Sequence, residues 1–275
     1  MIGLIVSNIN FINKRCRSLF NHQTMSGHSK WATIKRTKES KDAQRGNIFT
    51  KLGNTITVAV KEGGTDPEAN FKLRLAIERA KAVNMPKDNI ERAIKRGTGE
   101  LKGAVIEDLT YGALLPGQVA VIIKCLSDNK NRALADIKTA ITKNGGQFVD
   151  LHSVSWQFEN KGVIRINVQG TINPGLVKQG GADREQGDLE MKIIDSGAED
   201  YIKDEDGFTI YTRPEELKAV KEKLENSGVK INSAGLEMVA KDPKDIDNET
   251  LAKVAKILGS LDELDEVSDY YTNLA

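Results

Sequence analysis

Cysteine is nearly absent from this 275-residue chain: Cys16 and Cys125 are the only two, too few for a disulfide framework or a thiolate metal site. That fits a reducing compartment. The three histidines, His22, His28 and His152, stand apart, with no His-x-x-x-His pair and no carboxylate at metal-ligand spacing. No apolar run approaches the roughly 18–20 residues needed to cross a bilayer. There is no Gly-x-Ser-x-Gly elbow, and no glycine-rich loop runs into Gly-Lys-Ser/Thr. Asp204-Glu205-Asp206-Gly207 lacks the later ligands of a calcium loop and reads as a solvated turn between strands. Gly97-Thr98-Gly99 follows a helix and reads as its C-cap turn, and Cys125 reads as a buried thiol in an apolar strand. The pattern therefore predicts no enzyme: no catalytic residue, metal, cofactor, membrane span or small-molecule substrate is assigned.

What the chain does have is charge, unevenly placed. Its formal net charge is only +1. Yet Met25–Gly99 holds 16 Lys/Arg against 8 Asp/Glu, and Lys14, Arg15 and Arg17 add three cations upstream. Residues 1–99 thus carry +11, leaving −10 for residues 100–275. The stretch Asp242–Ala275 alone has nine acidic residues against three lysines. A basic head on an acidic body points to a polyanion-facing surface at one end.

Residues 1–24 contain no acid, three basic residues and scattered apolar ones, the composition of an organelle transit peptide. The alternative is that translation starts at Met25 and the upstream residues are a mis-called extension. The first reading places the protein in the mitochondrial matrix, the second in the cytoplasm, which is the favoured expectation.

From Ser26 to Arg45 the chain is basic, polar and without apolar periodicity apart from Trp31 and Ile34, and is expected to be an extended arm. Ile48, Leu52, Ile56 and Val60 then recur on one helical face up to Gly63-Gly64. Asp66-Pro67-Glu68 looks like the opening of a second helix running to about Asn84, and Pro86 opens a third, with Ile90, Ala93 and Ile94 inward and Gly97 as its stop. Beyond Gly103 strands and helices alternate. Strands are expected at Val119–Leu126, Val154–Phe158, Val163–Val168 (reached through a hairpin turn at Asn160-Lys161-Gly162), Phe208–Tyr211, Leu236–Val239 and Val267–Thr272. Helices are expected at Asn131–Lys143, around Leu189–Ile194, at Pro214–Asn226 and at Glu249–Leu258, with Gly170–Gly187 a long surface loop. The fold class is α+β.

The candidate functional surface is the basic arm together with the helical segments after it. His28, Lys30, Trp31, Lys35, Arg36, Lys38, Lys41, Arg45 and Lys51 supply cations every few residues around one tryptophan able to stack on a base. The third helix repeats the theme with Arg92, Lys95 and Arg96. A solvated basic tail with Trp31 in the core is the competing reading. Neither element has the spacing of a helix-turn-helix reader, so backbone or shape recognition is expected, with DNA and RNA left level.

These segments also carry a resemblance. Met25-Ser-Gly-His-Ser-Lys-Trp-Ala-Thr-Ile-Lys35, Asp42-Ala-Gln-Arg-Gly46, Phe49-Thr-Lys51, Asp66-Pro-Glu-Ala-Asn70 and the run Asn84–Gly99 resemble the YebC/PmpR family, as do Leu126–Arg132, Lys143–Gly146, Gly197–Asp200 and Tyr271–Asn273. The resemblance spans Met25 to the end. It implies a helical N-terminal domain (25–102) and two α+β domains, the third (154–234) inserted in the second (103–153 with 235–275). It further implies either a ribosome-associated translation factor that contacts rRNA and relieves stalls such as consecutive prolines, or a DNA-binding transcriptional regulator. The first is favoured; a protein-binding scaffold with an acidic body is a third reading, and oligomeric state stays open. Where that family has a Gly-Pro-Gly-Gly turn, this chain has Leu115-Pro-Gly-Gln118.

Overall fold

The computed structural model describes residues 42–101, 105–167, 181–204 and 207–275. Three helices come first: α1 (Asp42–Gly63), α2 (Phe71–Ala82) and α3 (Lys87–Gly97). Ile56, Val60, Leu73, Ala76, Ala80, Ile90 and Ala93 make their shared core, with Leu52 and Ile94 packed at its edge. Helix α1 includes residues 42–45, so the end of the expected arm is helical. The arm residues His28, Lys30, Trp31, Lys35, Arg36, Lys38 and Lys41 lie outside the described residues.

Helix α2 begins later than Asp66-Pro67-Glu68 suggests. The Asp66 carboxylate accepts from the Glu68 amide in a local turn, and the N-cap is Asn70. Its buried side chain accepts from Leu73 N (3.1 Å) and donates to the carbonyls of Ala59 (2.7 Å) and Gly64 (2.9 Å), binding the start of α2 to the end of α1. Helix α2 closes on Asn84, which takes φ +58°, while Met85 N reaches back to Ala80 O at 2.9 Å. Helix α3 ends as expected, on a Thr98 cap with Gly99 at φ +81°.

Two antiparallel sheets follow. The first, in order β3-β1-β2-β8, comprises β1 (Glu107–Leu115), β2 (Val119–Ser127), β3 (Gln147–Val149) and β8 (Val267–Thr272). Helices α4 (Lys130–Thr142) and α8 (Asn248–Asp262) cover one face, burying Val121, Ile123, Ile137, Ile141, Ile257 and Leu258. The second, in order β5-β6-β4-β7, comprises β4 (Phe158–Asn167), β5 (Asp200–Lys203), β6 (Gly207–Thr212) and β7 (Ser233–Ala240). Its core joins Ile164, Phe208 and Ile210 to α6 (Gly181–Asp195) and α7 (Leu217–Asn226). The architecture is α+β.

Several expectations are corrected. Residues 152–155 form a short helix, α5 (His152–Ser155), not a strand. Val154 is buried there, whereas Trp156 is 67% exposed with its Nε1 donating to Ser153 O. Asn160-Lys161-Gly162 is no hairpin turn: it runs through the interior of β4, whose neighbours are β6 and β7. Glycine is required at position 162 because a Cβ there would sit 2.8 Å from Leu217 Cβ and closer still to the Thr212 hydroxyl. The expected loop to Gly187 is already helical from Gly181. Strand β7 pairs with β4 along its length. Strands β1, β3 and β5 have no counterpart among the expected elements.

Candidate nucleic-acid interface

Helix α3 is amphipathic in charge. Ile90 and Ala93 are buried and Ile94 half-buried, which turns Arg92, Lys95 and Arg96 outward, all exposed. Among the described residues no carboxylate lies within ion-pair distance of these three; Arg96 Nη1 reaches only the Asn54 Oδ1 of α1, at 3.4 Å. Ion pairs elsewhere join Lys72 with Glu62, Arg74 with Glu222, Arg132 with Glu266, Arg165 with Glu237, Lys203 with Glu190, Arg213 with Glu216 and Lys253 with Glu249.

Between α1 and α3 lies a recess of about 180 Å³ rimmed by Phe49, Asn54, Met85, Asn89, Arg92 and Arg96. Two guanidinium groups and two carboxamides thus border an opening that an aromatic ring and a thioether also line. Such a rim can hold phosphate oxygens through the arginines. Asn54 and Asn89 are absent from the expected set; only their polarity beside Arg92 and Arg96 in the fold brings them in.

Close helix packing fixes this face. A Cβ at Gly97 would lie 2.6 Å from Val60 Cβ and 2.7 Å from the Thr57 carbonyl, and Thr57 Oγ1 donates to Ala93 O at 3.1 Å. Gly97 is therefore a contact point between α1 and α3 as well as the end of a helix.

The expected residues do not form one surface. Arg92, Lys95 and Arg96 come together. Lys51 lies on the other side of α1, where residues 47, 48, 51 and 52 face a second cavity while 49, 50, 53 and 54 face the recess. Its ammonium donates to the carbonyl of Asp262 at 2.7 Å, at the C-terminal end of α8. Arg45 lies in the first turn of α1.

Burial pushes the Cys125 thiol up to about 12, with Glu266 and Asp108 adding to the effect, so it is not a thiolate nucleophile. Among the described residues no group of three His, Cys, Asp or Glu side chains is placed to hold a metal, and no helix is long and apolar enough to cross a membrane.

The fold and this face define a class: a small helical module with a cationic face, carried on two α+β modules of opposite net charge. Two family models match the chain. Residues 29–100 match the TACO1/YebC protein N-terminal domain, and residues 106–274 match the TACO1/YebC second and third domain. The chain belongs to the TACO1/YebC family. Relatives include a protein of Dehalococcoides mccartyi, 44% identical over 249 residues (90% of this chain, 94% of the relative). Another, from Caldanaerobacter subterraneus, is 44% identical over 250 residues (91% and 98%). Both bear the name probable transcriptional regulatory protein. The crystal structure of a conserved hypothetical protein from Aquifex aeolicus superposes with a TM-score of 0.75 at 42% identity, covering 86% of this chain and 94% of that one.

Proposed function

We propose that this chain is a non-enzymatic, nucleic-acid-binding regulator of gene expression that works in the cytoplasm on the translating ribosome. The N-terminal module lies on rRNA, and the acidic modules face away from phosphate. The observation that carries this reading is the cluster Arg92, Lys95 and Arg96, exposed together on one helix without carboxylate partners among the described residues, two of the three on the rim of the recess shared with Asn54 and Asn89. Charges left unpaired on one rigid helix face suit a phosphate backbone, whose binding releases counterions and is steeply salt-dependent. The absence of helix-turn-helix spacing argues for backbone recognition over base readout. On this reading the arm residues from His28 to Lys41 extend the same contact, and the bound protein helps the ribosome through stalling sequences.

The names of the relatives favour a second reading, a DNA-binding transcriptional regulator. The two part in one experiment: ribosome profiling with and without the protein, alongside sedimentation of the protein with ribosomes. Salt-sensitive co-sedimentation and codon-specific pausing in its absence are expected. Unchanged pausing, with selective retardation of a promoter fragment over competitor DNA, would overturn the ribosomal reading in favour of the second.

A further inference from the structure

The three modules meet around a cavity of about 890 Å³, and the contacts that close it differ in kind from side to side. Toward the second sheet, the helical module is joined by an apolar core. Leu75 is buried in the cluster that holds Ile164, Leu217, Val220 and Leu224, and Phe71 packs beside it. Ion pairs from Arg74 to Glu222 (3.1 Å) and from Glu78 to the 6%-exposed Lys221 (3.2 Å) flank that contact. The two sheets are joined where the chain crosses between them. Phe158, Met238 and Ala240 pack on Ala120, Ile122 and Val154, and Lys241 N donates to Gln157 O at 2.9 Å.

The third side is different. Among the described residues, none of the N-terminal helices belongs to the buried core of the first sheet. Polar bonds cross this side, among them Lys51 Nζ on Asp262 O (2.7 Å), Asn47 Nδ2 on Glu263 O (3.4 Å) and Arg79 Nη1 on Asp269 Oδ2 (3.8 Å). The bonds from Lys51 and Asn47 end on carbonyls of the last turn of α8 and the residue after it, the negative end of that helix. Contacts of this kind are screened by salt and individually weak, whereas the apolar sides are not.

We infer that the polar side is a latch: the carbonyl end of α8 occupies Lys51 as an internal anion, and a bound polyanion competes for that lysine and opens the cavity on this side. The helical module, held to the second sheet by Leu75, Phe71 and two flanking ion pairs, moves with it, and the apolar pad between the two sheets stays closed as the pivot. The two chain crossings near Gln157 and Lys241 act as the hinge. Asp269 and Tyr271 mark the gradient along β8, the first beside the latch and the second in the apolar pad by the hinge. Lys51 thereby serves two partners in turn, which explains why a cation in a basic segment points away from Arg92 and Arg96. The inference rests on the proposed binding of nucleic acid by the helical module.

A double-cysteine variant tests it, Asn47→Cys with Glu263→Cys, in a chain also carrying Cys16→Ser so that the buried Cys125 is the only other thiol. Binding to purified bacterial 70S ribosomes is measured oxidised and reduced. The latch predicts binding at least about ten-fold weaker when the bridge is closed, restored by reductant. Equal binding by a fully bridged and a reduced sample would overturn it. If the reduced protein also fails to bind, the nucleic-acid reading itself fails, and the latch is then judged without ligand. For that, fluorophores on Lys61→Cys and Lys256→Cys, in the Cys16→Ser background, report the distance between modules. Energy transfer should fall as KCl rises from about 50 mM to about 500 mM, because the latch contacts are screened. Transfer independent of salt would overturn the latch whatever the ligand.

Discussion

Asn70→Asp changes one atom in the most heavily bonded amide of the helical module. The parent side chain spends its oxygen on the Leu73 amide and its nitrogen on the carbonyls of Ala59 and Gly64, at 2.7 and 2.9 Å, and is buried. The aspartate keeps the cap but sets an oxygen against two carbonyl oxygens. Two hydrogen bonds of about 0.5–1.5 kcal/mol each are lost. A buried carboxylate without a donor on that side brings the expected cost to about 3–5 kcal/mol at pH 8. Asn70→Ala loses the same two bonds and a cap worth about 1 kcal/mol, so about 2–4 kcal/mol without introducing a charge. The carboxylate's folded-state pKa is raised above its unfolded value of about 3.9. The aspartate variant is therefore closest to its parent below that value, where the protonated oxygen can donate to a carbonyl, and it loses stability as pH rises through the folded pKa. Urea unfolding followed by far-UV circular dichroism at pH 5 and pH 8 gives both values. An aspartate variant no less stable than the alanine variant at pH 8, or indifferent to pH, would refute the reasoning.

Gly97→Ala gains helix propensity but drives a methyl into Val60 and the Thr57 carbonyl, so a net loss of about 1–2 kcal/mol is expected in thermal unfolding, together with weaker RNA retention as α3 shifts. Gln118 sits at φ +58°, a conformation that favours glycine; Gln118→Gly should raise stability by about 1 kcal/mol, and a loss would show that the side chain matters more than the backbone. Cys125, with its thiol pushed up to about 12 and fully buried, should resist iodoacetamide at pH 8 in the native protein and react after unfolding. Mass spectrometry of the tryptic peptide reads the outcome directly.

How far the fold could be read from residues depended on whether local pattern and tertiary setting agreed. Val119–Leu126 and Val267–Thr272 emerge as strands because their β-branched and aromatic residues favour the conformation their neighbours impose. Asn160-Lys161-Gly162 has turn chemistry, yet it lies in a strand paired on both sides, where Thr212 and Leu217 leave room only for glycine at position 162. The three-residue β3 and the acid-led β1 carry too little pattern to be seen. At the site, the cation excess and the basic face of α3 were legible from spacing alone. The division of α1 into two sides was not. Lys51 and Asn54 are three residues apart, and only the placement of α8 and α3 decides that one meets a helix carbonyl and the other an arginine.

The central claim, that unpaired cations on α3 hold a phosphate backbone, is tested most directly by salt dependence. Binding of ribosomes and of duplex DNA is measured from about 50 to 300 mM KCl for the parent and for the triple variant Arg92→Gln, Lys95→Gln, Arg96→Gln. Each lost phosphate contact should reduce the slope of log K against log salt by about 0.7–0.9, so the variant should be shallower by about 2–3. A variant that binds with the parent's slope and affinity would contradict the account.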